Sequence, residues 1–399
     1  MLRFITFRIV LATTSAALTQ QASSFESGPM VGHTTSTGCL LWAYDSEADS
    51  CELSYWPATS DSVAAEKTIA RPVRAGSAVY RHEITGLNAS TQYQYTMRPA
   101  GGEPSEGSFT TAPRPSSPQS FSYLLTSCMD AKGFPQQPAW DEAIRQKPAF
   151  HIMAGDNTYS DSTKYHIIRD HHFQQRRIAN FASLIANVPT YATWDDHDYG
   201  PNDSHRLTPG KEESLRAFKD LWANPTYGTK EIPGVFYSFE WGDVQFFVMD
   251  DRYHRDDEHT PKPKGKTQFG EAQRNWLLSG LKKSKATFKV VVNGYDIMGS
   301  RYPDEIKVIS RYINQNRIPG VVFHSGDIHR NEFKQQDHGM GYPVTQITSS
   351  GVARNPIRPW AMIDVDTTSA DPTLTARFFA EEKLEETHRI SLSELTPHP

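Results

Sequence analysis

Phe150-His151-Ile152-Met153-Ala154 runs straight into Gly155-Asp156-Asn157-Thr158-Tyr159-Ser160-Asp161. A largely apolar run of strand length stops on glycine, and the residues after it carry carboxylates, an amide and a phenol. The same change of character recurs. Phe121-Ser122-Tyr123-Leu124-Leu125 leads into Thr126-Ser127-Cys128-Met129-Asp130, and Thr190-Tyr191-Ala192-Thr193-Trp194 into Asp195-Asp196-His197-Asp198. Val244 to Met249 ends in Asp250-Asp251-Arg252, and Phe288 to Val292 in Asn293-Gly294-Tyr295-Asp296. Val321-Val322-Phe323 ends in His324-Ser325-Gly326-Asp327-Ile328-His329.

Between these runs lie stretches of helical period: Trp140 to Gln146, Tyr165 to Ala186, Glu212 to Trp222, Gly270 to Lys283 and Asp304 to Asn316. Strands alternating with helices predict an α/β layered domain around a buried sheet, here residues 121–385. Trp360 to Val365 and Leu374 to Glu381 read as one more hairpin, and residues 386–399 as a loose tail. In an open α/β sheet, ligands collect at the carboxyl ends of the strands, where the loops converge. So many acids in one crevice repel unless cations neutralise them, so bound metal is expected. Asp, His, Asn and Tyr together suit ferric iron, Mn, Ca or Zn.

The N-terminal part reads differently. Cys39 to Tyr44, Cys51 to Trp56, Val79 to Ile84 and Gln92 to Met97 are short strands with no helical period. They predict a small all-β sandwich over 28–112, with Leu87-Asn88-x-x-Thr91-x-Tyr93 resembling the tyrosine corner of fibronectin type III domains. Cys39 and Cys51 lie on neighbouring strand candidates, and an oxidising compartment would let them pair. Residues 113–120, rich in Pro and Ser, read as a linker crossed by few contacts. Ahead of the sandwich, Arg3 and Arg8 precede the short apolar run Ile9 to Leu18, the outline of a secretory signal peptide over residues 1–21. A secreted, periplasmic or extracellular location follows, and no segment is long enough to span a membrane.

The chain has 399 residues and net charge -5, with Lys plus Arg numbering 41 against 46 Asp plus Glu. That balance argues against duplex nucleic acid as a main partner. With only 3 Cys, a disulfide scaffold is excluded. His166, His171 and His172 share a polar helix with Arg169, Arg176 and Arg177 and read as exposed.

Ser127-Cys128, Gly155-Asp156-x-x-Tyr159-x-Asp161 and Thr193-Trp194-Asp195-Asp196-His197-Asp198 occur in order with Met249-Asp250-Asp251-Arg252-x-x-Arg255, Phe269-Gly270-x-x-Gln273-x-x-Trp276-Leu277 and Ser325-Gly326-Asp327-x-His329. The set resembles PhoD-like alkaline phosphatases, within the calcineurin-like and purple-acid-phosphatase-like metallophosphoesterases. The resemblance implies a layered metallophosphoesterase sandwich behind the β-sandwich, and hydrolysis of phosphate esters by metal-activated water without a covalent enzyme intermediate. It implies ferric iron (Fe3+) with one or more divalent ions, Ca2+ favoured and Mn2+, Zn2+ or Mg2+ also admissible.

Residue by residue, it makes Cys128 a thiolate ligand, Asp156 the bridging carboxylate and Tyr159 a phenolate ligand. Asp196, Asp327 and His329 stand at further ligand positions, and His197 at that of the group that stabilises or protonates at the reaction centre. The family superset's Val-x-x-His ligand has no His here; Asn293 stands at that strand end and offers an amide oxygen, which suits calcium. Asp251 adds an acid expected near the substrate mouth, and Arg252 is expected to contact phosphate through its guanidinium fork. The motifs leave monoester against diester open. A phosphodiesterase or phospholipase acting on lipid or polymer diesters is the alternative, and a calcium-clasped binding protein without catalysis is a third reading.

Overall fold

The computed structural model describes residues 25–60, 65–261, 265–299 and 301–397. The expected signal peptide lies outside them. Strands β1 (Ser27–Thr34), β2 (Gly38–Tyr44), β3 (Cys51–Pro57), β4 (Glu66–Ala70), β5 (Val79–Thr85), β6 (Gln92–Pro99) and β7 (Ser105–Thr110) come first. They form two antiparallel sheets, ordered β1-β2-β5 and β4-β3-β6-β7. The period-two pattern explains the pairing: Tyr93, Tyr95 and Met97 of β6 turn inward, onto a core shared with Val31, Leu41, Leu53 and Phe109. The tyrosine corner is present, with the Asn88 N–H donating to the Tyr93 hydroxyl at 3.0 Å. Cys39 and Cys51, whose pairing the sequence left open, are not bridged. They sit on strands of different sheets, and both are free, buried thiols.

The second part contains β8 (Ser120–Thr126), α1 (Ala139–Arg145), β9 (His151–Ala154), α2 (Tyr165–Arg176), α3 (Ala179–Asn187), β10 (Thr190–Thr193), α4 (Asp196–Tyr199) and α5 (Lys211–Leu221). There follow β11 (Tyr237–Trp241), β12 (Val244–Val248), α6 (Glu271–Lys283), β13 (Phe288–Val292), α7 (Pro303–Gln315) and β14 (Val321–Ser325). The last strands are β15 (Glu332–Gln336), β16 (Val344–Thr348), β17 (Pro359–Asp366), β18 (Thr373–Ala380) and β19 (Lys383–Ser391). Among the described residues they make two mixed six-stranded sheets, β10-β9-β8-β17-β18-β19 and β11-β12-β13-β14-β16-β15. Within them β10, β9 and β8 run parallel, as do β12, β13, β14 and β16.

The sheets face each other across an aromatic core. Tyr191 stacks on Phe239 at 3.9 Å, Phe239 on Phe246 at 4.7 Å and Phe150 on Tyr123 at 4.9 Å. Each such fully buried ring contributes about 1.5–3 kcal/mol by area alone. Parallel strands buried on both sides explain the largely apolar runs of β9 and β13, where alternation is absent and only His151 and Lys289 are polar.

Three expectations need correction. The helix expected from Tyr165 to Ala186 is two helices. Ile178 adopts extended backbone (φ -67°, ψ 114°), and α3 turns its Phe181, Leu184 and Ile185 into the core. The stretch expected to be a loose tail begins inside β19, paired with β18 as far as Ser391, and Leu395 behind it is fully buried. The presumed linker is anchored too, since the Ser116 N–H donates to the Gly242 carbonyl at 2.8 Å.

The β-sandwich is fastened to the second part by polar bonds inside an apolar seam. Trp42 Nε1 donates to the Asp220 carbonyl at 2.8 Å, and the Tyr95 hydroxyl to the Ala186 carbonyl at 2.7 Å. The Arg176 guanidinium lies 4.5 Å from the Trp42 ring and 4.9 Å from Trp222, and His172 meets Trp222 edge-on. His172 and Arg176 are therefore buried, contrary to the exposed face expected of this helix, while His166 is exposed.

Candidate metal centre

The carboxyl ends of β8, β9, β10, β13 and β14 bring Cys128, Asp156, Asp196, Asn293 and Asp327 into one region of the domain. Gly155 makes the turn after β9 possible. Its φ is +83°, and a Cβ there would stand 2.7 Å from the Asp195 Cβ. Asp198 ties the neighbouring loops together. Its carboxylate accepts the Asn157 and Thr158 backbone N–H groups, the Asn157 side-chain amide and the Asp195 N–H, each at 3.1 Å.

Two ligand sets result. One ligand atom each from Cys128, Asp156 and His329 lie within 4.8 Å of one another, and so do atoms of Asp156, Asp196 and His197. Asp156 belongs to both, as a bridging carboxylate must. Tyr159 joins the first set, its hydroxyl 3.2 Å from Asp156 Oδ2 and 2.9 Å from His329 Nε2. Cys128 Sγ accepts from Ser127 Oγ at 3.4 Å and Ser350 Oγ at 3.1 Å, and stands 3.5 Å from Asp156 Oδ2.

Electrostatics fit this arrangement to a cation. Burial, reinforced by Asp196, Asp198 and Asp327, holds the Asp156 carboxyl well above the usual carboxylate range. Burial likewise pushes the Cys128 thiol and the Tyr159 phenol up, with Asp156 adding to both. None of these groups ionises easily in that pocket without a positive charge beside it. A second sign is the set of buried oxygens that have no hydrogen-bond partner: Asn293 Oδ1, Asp195 Oδ2 and Asp251 Oδ1. Thiol, phenol, imidazole and carboxylate in the first set, and two carboxylates with an imidazole in the second, are donor types that metal ions take.

Not every expected residue goes where the sequence suggested. Arg252 is 1% exposed and does not face open solvent. Its Nε donates to Asp195 at 2.5 Å, Nη2 pairs with the same carboxylate and lies 3.6 Å from Asp196, and Nη1 reaches the Ser204 carbonyl. Burial works against its charge, but Asp195, Asp196 and Asp251 outweigh that and hold it protonated. It neutralises the acids of the β10 loop, and Nε, Nη1 and Nη2 all meet protein acceptors. Asp251 is also fully buried, accepting the Tyr295 N–H at 2.7 Å, and does not line a mouth. Asp327 lies outside both three-residue ligand sets, though Asp196 and Arg252 act on it electrostatically. His197 gives Nδ1 to Asp161 at 2.5 Å and lies against the Tyr159 ring at 4.2 Å.

Two residues that matter here were not picked out from sequence. Ser350 links Cys128 Sγ to the His329 N–H, and Arg354 lies over Tyr159. The signal for both was the β16 run Val344–Thr348, another β-branched strand that ends in Ser349-Ser350-Gly351.

Over 233 residues the chain is 24% identical to alkaline phosphatase D of Bacillus subtilis (strain 168), a match covering 46% of this chain and 40% of that protein. The matched part thus spans well under half of that relative. The solved structure of PhoD superposes with a TM-score of 0.75 at 18% identity, covering 92% of this chain and 89% of the other. Purple acid phosphatase PPD1 from yellow lupin (Lupinus luteus) seeds superposes with a TM-score of 0.65 at 11% identity, covering 91% and 74%. These two share the fold. The PhoD-like phosphatase profile matches residues 123–352, from β8 to the loop behind Ser350, and the chain belongs to that family.

Proposed function

We propose that the protein is an exported, metal-dependent phosphoesterase that hydrolyses phosphate esters by direct attack of water. The observation that carries this reading is Asp156, a buried carboxylate shared by two adjoining ligand sets. Cys128, Tyr159, His329 and Asp156 would hold ferric iron; Asp156, Asp196 and Asn293 would hold a divalent ion, calcium by its oxygen donors. Bound there, the ions would offset charge on the phosphoryl oxygens and lower the pKa of water.

The chain's own groups divide the remaining work. Asp161 fixes the His197 ring through Nδ1, which leaves Nε2 to protonate the leaving alcohol oxygen or steady the attacked phosphoryl group. Arg252 keeps the acids of the β10 loop compensated. The Ser127 and Ser350 hydroxyls are both committed to Cys128, so neither serves as a nucleophile. An open hollow of about 570 Å³, lined by Pro201, Asn202, Asp203, His205, Leu207 and Thr208, leaves room for an alcohol portion. It adjoins the second ligand set, since the Asp203 N–H donates to Asp196 at 2.7 Å.

The test is metal analysis of purified protein alongside hydrolysis of an aryl phosphate monoester and diester, with and without chelator. Iron is expected, with activity lost on chelation. Cys128→Ser should lower iron content, and Tyr159→Phe should remove the phenolate part of any charge-transfer absorption. Chelator-resistant hydrolysis by iron-free protein, or full iron retained by Cys128→Ser, overturns the reading.

A further inference from the structure

Arginines near the metal centre are the natural candidates for holding a phosphoryl group, and two of them are fully buried. Arg252 is enclosed by Asp195, Asp196 and the Ser204 carbonyl. Arg255, 0% exposed, gives Nε to the Tyr302 hydroxyl and Nη2 to Glu258, which turn it toward the α7 side, and its Nη1, without a hydrogen-bond partner, is closed off from solvent. Arg354 is different. Its side chain is 36% exposed, its guanidinium carbon lies 4.1 Å from the centre of the Tyr159 ring, and Nη1 donates to Asp130 at 2.7 Å.

We propose that Arg354 contacts the phosphoryl oxygens of the substrate and of product phosphate, in the role that the motif would have given to Arg252. This rests on the phosphoesterase reading. Only one edge of the guanidinium is used on Asp130, and a fork with free N–H groups matches two phosphoryl oxygens. Its placement is rigid. The Asp130 N–H donates to the Ala353 carbonyl at 2.9 Å and the Ala353 N–H to the Cys128 carbonyl at 3.3 Å, so the Arg354 segment is laced to the thiol loop. The Tyr159 hydroxyl touches Asp156, so the guanidinium stands one aromatic ring away from the shared carboxylate. Stacking on that ring holds the cation at the crevice without enclosing it. Asp130 is a positioning residue, aiming the fork through Nη1.

The experiment compares metal-loaded wild type with Arg354→Met and Arg354→Lys. It reads KM and kcat for an aryl phosphate, inhibition by inorganic phosphate, iron content, and calorimetric binding of phosphate. A lost charge-assisted contact should raise KM and the phosphate inhibition constant about tenfold or more in Arg354→Met. Arg354→Lys should fall between, keeping charge but not the fork, and iron content should not change. Unchanged phosphate affinity overturns the proposal, and so does loss of iron in step with activity, which would place the residue's effect on Tyr159. Should Arg354→Met fail to fold, Arg354→Lys decides by the same criteria. A wild type that turns over no ester sinks the phosphoesterase reading instead, while phosphate calorimetry still reads Arg354.

Discussion

Asp198→Ala removes a carboxylate that touches no candidate metal position yet holds the loops that do. The side chain is buried at 3% exposure and accepts four N–H groups: Asn157 backbone and amide, Thr158 and Asp195. Burial raises its pKa to about 7, against the pull of the backbone donors from Asn157, Asp195 and Thr158. Each buried donor left without an acceptor costs about 1–3 kcal/mol, and water entering the vacated space recovers part of it. Relief of repulsion with Asp196 recovers a little more. The net loss should be about 3–5 kcal/mol, in the range for breaking a buried polar network. For a domain of this size that is a fall in melting temperature of order 10 °C. Asp198→Asn should cost less, about 1–2 kcal/mol, because its oxygen can still serve most of the donors while its amide faces one of them. Thermal unfolding with iron analysis on the same samples is the assay. Both variants should lose iron in the order of their destabilisation, because Asp156 and Asp196 flank the knot. An alanine variant melting within about 2 °C of wild type with full iron would refute the reasoning.

Two further outcomes are expected. Asp161→Asn should lower kcat about 10–100-fold with KM little changed, since it takes the carboxylate charge from His197 Nδ1 and leaves Cys128, Asp156, Tyr159 and His329 in place; an equal loss of iron would contradict that. Lys289, 3% exposed with Nζ on the Ala286 and Pro319 carbonyls, has its pKa lowered by burial from 10.5 to about 8. Between those values the unfolded chain holds the proton that the folded chain has released, so stability rises with pH through the window. The gain amounts to about 3 kcal/mol and is absent below the lower value. Urea unfolding of wild type and Lys289→Met at both ends of that window should show the difference between them change by this amount, and a constant difference would refute it.

Much of the site was legible because it obeys a local rule. Cys128, Asp156, Asp196, Asn293 and Asp327 all follow apolar runs, and a strand end in a buried parallel sheet can be located from composition alone. What failed was pairing across distance. Arg252 has the right chemistry for phosphate, but its partner Asp195 comes from another strand end, and no spacing reveals that contact. His172 and Arg176 look like a solvent face because their cover, Trp42 and Trp222, lies far off in sequence on other elements. The tail failed for a different reason. In β19 the residues Glu386, Thr387 and Arg389 are exposed, as polar edge strands are, and that polarity reads as disorder until the partner strand is known.

The backbone itself argues that the crevice was assembled for its side chains. Cys128 (φ +61°), Asp156 (+49°), Asp327 (+71°) and His329 (+53°) are all non-glycine residues in the left-handed region. Such a conformation costs roughly 1–2 kcal/mol per residue, less for Asp, whose short carboxylate tolerates it. Glycine would relieve each turn, as Gly155 does beside Asp156, but glycine brings no ligand. Asp at two of these positions lowers the cost. His329 is also of a type that visits this region, whereas Cys128 has no such allowance, and both belong to the thiol–carboxylate–imidazole set. The strain is held in place by lacing that leaves the chain little choice. The Met129 N–H donates to the Asp156 carbonyl, the Ala353 N–H to the Cys128 carbonyl and the His329 N–H to Ser350 Oγ. A turn selected only for stability would have relaxed at these positions. Left-handed side chains converging on Asp156 from β8, β9 and β14 are what a requirement for several ligands in one place produces.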